Sequence, residues 1–360
     1  MKDPKTPIKG RGAVGNFPGR FQVETSEAFD DGWDSLNLED TPKVKTQVFP
    51  DLTRSLLSQN QSPDIPFDQS INPYKGCEHG CIYCYARQTH AYLDLSPGLD
   101  FETKIFKKTN VGPILEKMLR KRRYQCQPIA LGANTDPYQP IERDHRVTRE
   151  ILEVLSAYRH PVAIVTKSAL ILRDLDLLVP MARAGLAKVF ISITTRDPLL
   201  ARKLEPRAAA PHRRFEVLKV MHDEGIPAGV LAAPMIPALN DMELEQILKE
   251  AANAGAKTAG YILVRLPHEV KDLFRDWLDA HYPDRAKHVM SLIQQSRGGK
   301  DYQAGFGQRM RGTGEYASML EKRFALAIKR FGLNRKSAPL DTSQFKPPPR
   351  MGDQLDLFEG

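Results

Sequence analysis

Three of the four cysteines stand in one run, Cys77-Glu78-His79-Gly80-Cys81-Ile82-Tyr83-Cys84. The spacing C-x3-C-x2-C lets three thiolates on one loop face a common centre. Three soft sulfur donors suit zinc or an iron–sulfur cluster. Structural zinc needs a fourth ligand, for which His79 and Cys126 are the candidates. Zinc sites usually pair two short knuckles, however, and no second C-x2-C exists in the chain. A [4Fe–4S] cluster held by three cysteines leaves one iron open to a substrate or cofactor.

Such a loop needs a scaffold. From about residue 65 to 266 two patterns alternate. Residues 128–133, 162–166, 189–194, 228–233 and 258–264 are short apolar runs bounded by Pro, Gly, Lys or polar residues, as buried parallel strands are. An earlier strand near 70–72 starts the series. Between the runs lie helical patterns over 147–158, 172–184, 212–224 and 242–254; in the third, Phe215, Leu218 and Met221 share a face. Strand then helix at roughly thirty-residue intervals is the βαβ signature. About six such units are short of a closed barrel, so an open barrel and a doubly wound sheet both fit. In either, ligands bind at the carboxyl ends of the strands.

The flanks differ. Residues 1–64 are rich in Pro and Gly and are expected to form an arm or loops. They contain Gly10-Arg11-Gly12-Ala13-Val14-Gly15, a formal dinucleotide fingerprint, but no strand precedes it and Pro18 spoils a following helix. An arm lying against the body or against nucleic acid is expected instead. Residues 65–281 hold the βα series, 282–336 a basic helical extension, and 337–360 a Pro-rich tail. Within the extension, Tyr316, Met319, Leu320, Phe324, Ala327, Ile328 and Phe331 form one apolar helical stripe.

The composition, 41% hydrophobic and 27% charged, is that of a globular protein rather than a disordered one. Four cysteines are too few for a disulfide-built secreted scaffold. No apolar stretch follows the charged start, so no secretory signal and a cytoplasmic location are expected. The most apolar run, 229–239, is broken by Pro234 and Pro237 and is too short for a membrane span.

The signature C-x3-C-x-aromatic-C, with Tyr83 as the aromatic, resembles that of the radical S-adenosylmethionine (SAM) superfamily. The resemblance covers about 65–266 and implies an α/β fold, a partial (β/α)6 barrel. It further implies a [4Fe–4S] cluster on Cys77, Cys81 and Cys84, with the SAM amino and carboxylate groups chelating the fourth iron. The chemistry implied is reductive cleavage of SAM to a 5′-deoxyadenosyl radical that abstracts hydrogen, fed by an electron donor such as flavodoxin or ferredoxin. By position, Tyr83 and the second-strand end Asn134-Thr135-Asp136 are cofactor-binding candidates, as are Ser192, Thr194, Glu205 and Arg207. Glu205 and Arg207 would either bind SAM or pair with each other on the surface.

The strings Asn72-Pro73-Tyr74-Lys75-Gly76-Cys77, Cys81-Ile82-Tyr83-Cys84-Tyr85-Ala86-Arg87 and Thr135-Asp136-Pro137-Tyr138-Gln139-Pro140 resemble the spore photoproduct lyase-related, DNA-repair-photolyase-like group. In its namesake a cysteine near the end of the second strand returns hydrogen to the substrate. Here Cys126 precedes that strand, eight residues or roughly 25 Å of extended chain from Asn134, near the wrong end of the barrel. Ala133 and Asn134 carry no thiol, which leaves Tyr138 and Tyr85 as candidate hydrogen donors. The low cysteine count also excludes relatives with auxiliary clusters.

Between Arg285 and Lys336 there are twelve Lys or Arg against three Asp or Glu, enough to account for the whole excess of 52 basic over 44 acidic residues. This block and Arg120-Lys121-Arg122-Arg123 are expected to meet nucleic acid, most simply DNA. The run Gln354-Leu355-Asp356-Leu357-Phe358 resembles the peptide by which bacterial repair proteins dock on the sliding clamp. Radical modification of tRNA, or a non-catalytic iron–sulfur protein that binds nucleic acid, are the alternatives.

Overall fold

The apolar runs become strands whose order across the sheet repeats their order along the chain. The structure, a computed structural model, describes residues 7–21, 44–335 and 338–349. Its strands are β1 (Gln47–Asp51), β2 (Leu57–Gln59), β3 (Gln69–Ile71), β4 (Tyr74–Lys75), β5 (Lys104–Lys108), β6 (Ile129–Leu131), β7 (Val162–Thr166), β8 (Ala187–Ser192), β9 (Ala228–Met235) and β10 (Thr258–Leu263). The larger sheet runs β10-β9-β8-β7-β6-β3-β2. From β3 through β10 every neighbouring pair in it is parallel, and β2 adds one antiparallel edge. A doubly wound sheet would reverse order at a switch point. This one advances one strand at a time, so of the two sheets that fit the pattern it is the partial (β/α)6 barrel, open between its edge strands.

The helices are α1 (Leu99–Thr103), α2 (Val111–Leu119), α3 (Glu142–His145), α4 (Val147–Ala157), α5 (Leu175–Arg183), α6 (Pro198–Leu204), α7 (Pro211–Asp223), α8 (Leu244–Asn253), α9 (Val270–His281), α10 (Pro283–Gln295) and α11 (Gly314–Arg330). Three barrel helices stop the same way. Gly185, Gly225 and Gly255 take left-handed conformations after α5, α7 and α8, and the next residue, Leu186, Ile226 or Ala256, is buried and bonds back to the last turn. A glycine there satisfies the last carbonyls and turns the chain into the next strand. The strand faces and helix stripes then share one core, including Ile71, Leu131, Ile164, Ile191 and Val230 from the sheet and Ile151, Leu218 and Ile247 from the helices. Each fully buried aliphatic side chain contributes about 1.5–3 kcal/mol.

Two segments cover what the arc leaves open. After α10, the chain returns over the end of β10, where Leu263 N donates to Met310 O at 2.9 Å. Arg309 then ion-pairs with Asp64, between β2 and β3, which ties the two edges together. At the opposite end of the barrel lies the tail. Lys188 Nζ donates to Ala338 O at 3.2 Å, Asp341 N to Gly185 O at 3.1 Å and Lys346 N to Tyr158 O at 3.1 Å. Phe345 packs on the rings of Tyr124 and His160, with centroids 5.4 Å apart in both pairs. Residues 338–349 are therefore a strap across the strand beginnings, not a free spacer. Gln354, Leu355, Leu357 and Phe358 lie outside the described residues.

Residues 44–64 also depart from the expected loops. β1 pairs parallel with β5, which pairs antiparallel with β4, in a separate three-stranded sheet. Only Val48 of β1 packs on the main core, a pattern too short to stand out in the sequence. The α11 stripe packs as expected through Leu320, Phe324 and Ala327, but Met319 is exposed. Among the described residues, no helix is long and apolar enough to cross a membrane.

Candidate functional site

The cysteine loop leaves β4 at Gly76 and ends where the short 3-10 segment Tyr85–Leu93 begins. Cys77 and Cys81 are buried and Cys84 is half-buried. Cys77 packs with Ala86 and Phe101, and Cys81 with the apolar group under α9 and α10; Cys84 touches both groups. Burial pushes all three thiols up. For Cys77 the charges of Asp136, Cys81 and Cys84 add to this. Lys167 opposes it at Cys81 and Cys84, helped by Arg214 and Arg87 respectively. Thiolates that raise one another in a buried loop ionise together only when a metal shares their charge. Among the described residues no group of three His, Cys, Asp or Glu could hold a metal ion as the side chains stand. Three thiols spread around a loop fit a polynuclear cluster, whose irons each take one sulfur. Of the two candidates for a fourth zinc ligand, Cys126 lies by the strap, where burial and then Asp341 push its thiol up to about 11, and His79 turns Nδ1 to Asp136 Oδ2 at 3.4 Å, which leaves only its Nε2 to face a metal.

The loop is held from outside the barrel by one buried arginine. Arg87 donates from Nε to Cys81 O at 2.8 Å and from Nη2 to Gly80 O at 3.0 Å. Its Nη1 reaches Pro97 O at 3.1 Å and Gly98 O at 2.9 Å, and Nη2 meets Glu102 Oε1 at 2.5 Å. The other side of Glu102 takes the N-terminal arm: Gly12 N and Ala13 N donate to its carboxylate at 3.0 and 2.9 Å. The fingerprint-like glycines thus bind an internal carboxylate. A Cβ at Gly12 would stand 1.8 Å from Gly80 O, so only glycine lets the arm lie on the loop. From the other flank, Gln139 donates to Gly76 O at 3.2 Å and accepts from Glu78 N at 2.8 Å.

The barrel side of the loop is polar. Tyr83 donates its hydroxyl to Glu205 and lies 3.1 Å from Thr194 Oγ1. Thr194, two residues past the end of β8, stands 2.6 Å from Glu205 Oε1 and 2.9 Å from Ala233 O. Glu205 is buried and ion-pairs with Arg214. Burial would raise its carboxyl, but Arg214, Lys167 and the bonds from Thr194 and Tyr83 outweigh it and bring it down to about 2. Lys167, just past β7, donates to Ser192 Oγ at 2.8 Å and stands 4.0 Å from Glu205 and 6.0 Å from the centre of the Tyr83 ring. Four of the expected residues, Tyr83, Ser192, Thr194 and Glu205, therefore meet at the carboxyl ends of β7, β8 and β9.

The remaining candidates divide. Asn134 N and Thr135 N are both held by Asn72 Oδ1, at 2.9 and 3.5 Å, and Thr135 Oγ1 donates to Tyr74 O at 2.8 Å. The Asn134 side chain makes no hydrogen bond among the described residues. Asp136 accepts from Tyr138 N, Thr166 Oγ1 and Lys167 N at 2.7–2.9 Å, which joins β6 to β7. Burial alone would raise its carboxyl, yet His79 and these bonds bring it to about 2. Arg207 pairs with Glu78 at 3.1 Å, so the surface Glu205–Arg207 pair is corrected on both sides. Tyr85 donates to Ala133 O under the guanidinium of Arg265, 4.7 Å from the ring centre. Tyr138 is corrected as a hydrogen donor: its ring is buried in the main core and its hydroxyl donates to Asp174 at 3.1 Å.

Part of the basic block is also internal. Arg297 is buried and donates to four carbonyls, those of Leu263, Val264, Gln308 and Arg309. Arg309 pairs with Asp64, and Arg323 with Glu245. Arg285, Lys287, Lys300, Lys322, Lys329, Arg330 and Arg335 remain exposed. Sequence reasoning missed Arg87, Glu102, Lys167 and Arg214. The one available signal was the place of Lys167 directly after a strand, at the ligand-binding end.

Comparison with known proteins agrees with this geometry. A model of the Radical SAM superfamily matches residues 71–251. An uncharacterised protein of Mycobacterium tuberculosis (strain H37Rv) is 35% identical over 232 residues, 64% of this chain and 68% of that one. An uncharacterised protein of Methanocaldococcus jannaschii is 28% identical over 214 residues, 59% of this chain and 76% of that one. Among solved structures, spore photoproduct lyase complexed with dinucleoside spore photoproduct superposes with a TM-score of 0.55 at 18% identity, covering 79% of each chain. That likeness is one of fold.

Proposed function

Because the chain belongs to the radical SAM superfamily, we propose that it is a radical SAM enzyme acting on DNA in a repair-like, lyase-type reaction. The observation that carries the reading is the meeting of the buried cysteine loop with the Tyr83, Thr194, Glu205, Lys167 and Ser192 network at the strand ends. Cys77, Cys81 and Cys84 would hold a [4Fe–4S] cluster, and SAM would lie on its barrel side. When bound, that pair supplies a 5′-deoxyadenosyl radical by one-electron cleavage of the sulfonium, which abstracts a hydrogen from the substrate.

The chain's own residues orient and shield. Asn134 offers a polar side chain at the second-strand end, while Thr135 and Asp136 fix that end in place. Ser192, Thr194 and Glu205 offer hydroxyl and carboxylate oxygens to a ribose or amino group, with Lys167 as the balancing cation. Arg207 anchors the loop through Glu78. Tyr85, bonded to Ala133 O beneath Arg265, is the hydrogen donor we favour. The exposed basic residues of 285–335 and of the second cluster, Lys121, Arg122 and Arg123, would meet phosphates, whereas Arg120 is corrected: its guanidinium is taken up by Tyr158 and Pro348 O. The fold shared with a lyase solved with a dinucleoside photoproduct supports DNA over other polyanions. A clamp-docking tail at Gln354, Leu355, Leu357 and Phe358 would deliver the enzyme to DNA.

The test is anaerobic reconstitution, reduction and addition of SAM, with 5′-deoxyadenosine measured in the presence of ultraviolet-treated DNA, untreated DNA or tRNA. Formation of 5′-deoxyadenosine, raised by treated DNA, is expected. None from a fully loaded cluster removes the enzyme reading; greater stimulation by tRNA removes the DNA reading.

A further inference from the structure

Arg265 stands two residues past β10, and its guanidinium lies 4.7 Å from the centre of the Tyr85 ring. Tyr85 in turn donates to Ala133 O, two residues past β6. The stacked pair therefore crosses the barrel mouth from β10 to β6, four strands away round the arc, beside the cysteine loop. Yet this arginine has little to hold. Among the described residues it forms no ion pair. Its one hydrogen bond runs from Nη1 to the Met310 sulfur at 3.3 Å, and its Nε is buried without a partner. A thioether is a weak acceptor.

The charge around it is unbalanced. Arg297 is 1% exposed, donates only to the carbonyls of Leu263, Val264, Gln308 and Arg309, and also leaves its Nε without a partner. Burial and then the charge of Arg265 bring its guanidinium down to about 10. The nearby carboxylate, Asp64, is already taken by Arg309 and by Gly307 N at 2.6 Å. Arg265 and Arg309 both turn positive charge on Tyr85. Around the cysteine loop the pattern is the opposite, since Arg87, Arg207 and Arg214 each meet a carboxylate. Buried guanidiniums that crowd one another are destabilising until an anion completes them.

We propose that Arg265, backed by Arg297 and Arg309, binds one phosphoryl anion of the substrate, a phosphodiester where the substrate is DNA, and sets that substrate against Tyr85. The inference rests on the radical-enzyme reading of the barrel and deepens its substrate side; it does not require DNA. A guanidinium suits a phosphate because its planar fork matches two oxygens and is weakly hydrated. The Tyr85 ring holds the fork in place by a cation–π contact, so little ordering is left for binding. Lys167 does not compete for this role. It is committed to Ser192 and Glu205 beside Tyr83, so the two cations serve different groups. The exposed lysines and arginines of 285–335 would follow a chain of phosphates over the surface. Arg265 takes a single one, at the mouth.

The test uses the full chain with its cluster loaded and SAM bound. Affinities are measured for thymidylyl-thymidine and for the same two nucleosides joined by an uncharged methylphosphonate. Wild type is expected to bind the charged form about tenfold more tightly, and inorganic phosphate to compete for the site. Arg265→Gln should bind both forms alike. Arg265→Lys keeps the charge without the fork and should fall between. SAM affinity and the thermal midpoint stay at wild-type values in both variants. Equal wild-type affinities for the two forms, with no phosphate bound, overturn the proposal without recourse to a variant. Undiminished discrimination in Arg265→Gln overturns it too, as does a loss of SAM rather than of dinucleotide, which would give the guanidinium to the carboxylate of the cofactor. Phosphate held through Arg265 by a chain that ignores both dinucleotides supports the site, moves it to a small phosphorylated substrate, and removes the DNA reading alone.

Discussion

Replacing Arg87 by methionine removes the one side chain that grips the cysteine loop from behind. Four carbonyls, those of Gly80, Cys81, Pro97 and Gly98, lose a donor, and Glu102 loses its ion-pair partner and keeps only the more distant charge of Arg11 among the described residues. Both partners of the pair are fully buried. Breaking a buried pair from one side costs about 3–5 kcal/mol, because a charge stays behind in a low dielectric. Glu102 retains the amides of Gly12 and Ala13, which offsets part of this; the stranded carbonyls add to it. A loss of about 3–5 kcal/mol is therefore expected for Arg87→Met, read by urea unfolding, with iron per chain falling after reconstitution. Arg87→Lys keeps the charge but not the fork, so it should fall between. The double variant Arg87→Met, Glu102→Gln removes the orphaned charge and should recover part of the loss, a coupling of about 2 kcal/mol or more in the cycle. Wild-type stability and iron content in Arg87→Met would refute the reasoning outright. A double variant whose loss is the plain sum of the singles would refute the pair as the cause.

Two further outcomes follow from the buried groups. Glu205 is held down to about 2, so it favours the fold above its unfolded value near 4.5, and that contribution disappears as pH falls from there to about 2. The span corresponds to about 3 kcal/mol, so Glu205→Gln should be less stable than wild type near neutrality and lose less between pH 5 and pH 3 in urea titrations; parallel curves would contradict this. At the far end of the barrel, Phe345→Ala takes the strap's ring from Tyr124 and His160 and should cost about 1–3 kcal/mol. Limited proteolysis should then cut after residue 335 sooner than in wild type, with the cluster absorbance unaltered.

The barrel was legible because each strand is an apolar burst and each helix a repeating stripe, both local signals. The cysteine run was legible because its ligands are neighbours in sequence. What holds that run was not. Arg87 lies inside a quoted motif, yet its partner Glu102 is fifteen residues on, and the amides that complete Glu102 are ninety residues back. Nothing periodic links such positions. The Glu205 pairing shows the same limit: two residues separate it from Arg207, but α6 turns it inward, and Arg214 on α7 reaches it instead. The tail misled for the opposite reason. Its prolines marked it only as a Pro-rich tail, whereas they keep an extended strap that needs backbone partners only at intervals.

The aromatic between the second and third cysteines now has a physical reason. Tyr83 is buried, and its ring lies beside the Lys167 ammonium, so an aromatic face adds a favourable contact to that cation. Its hydroxyl does something a phenylalanine would not. Glu205 must stay ionised to hold Arg214, and burial works against that charge. A phenol donating to the carboxylate, from a loop that also carries the thiols, lowers the cost of keeping an anion so near to them. Glu205 in turn fixes the Tyr83 ring and thereby the backbone between Cys81 and Cys84. The loop is thus gripped twice by charge from opposite sides, by Arg87 on its carbonyls outside the barrel and by Glu205 on its tyrosine within. The thiols between are presented by a frame that leaves them little freedom to collapse on one another.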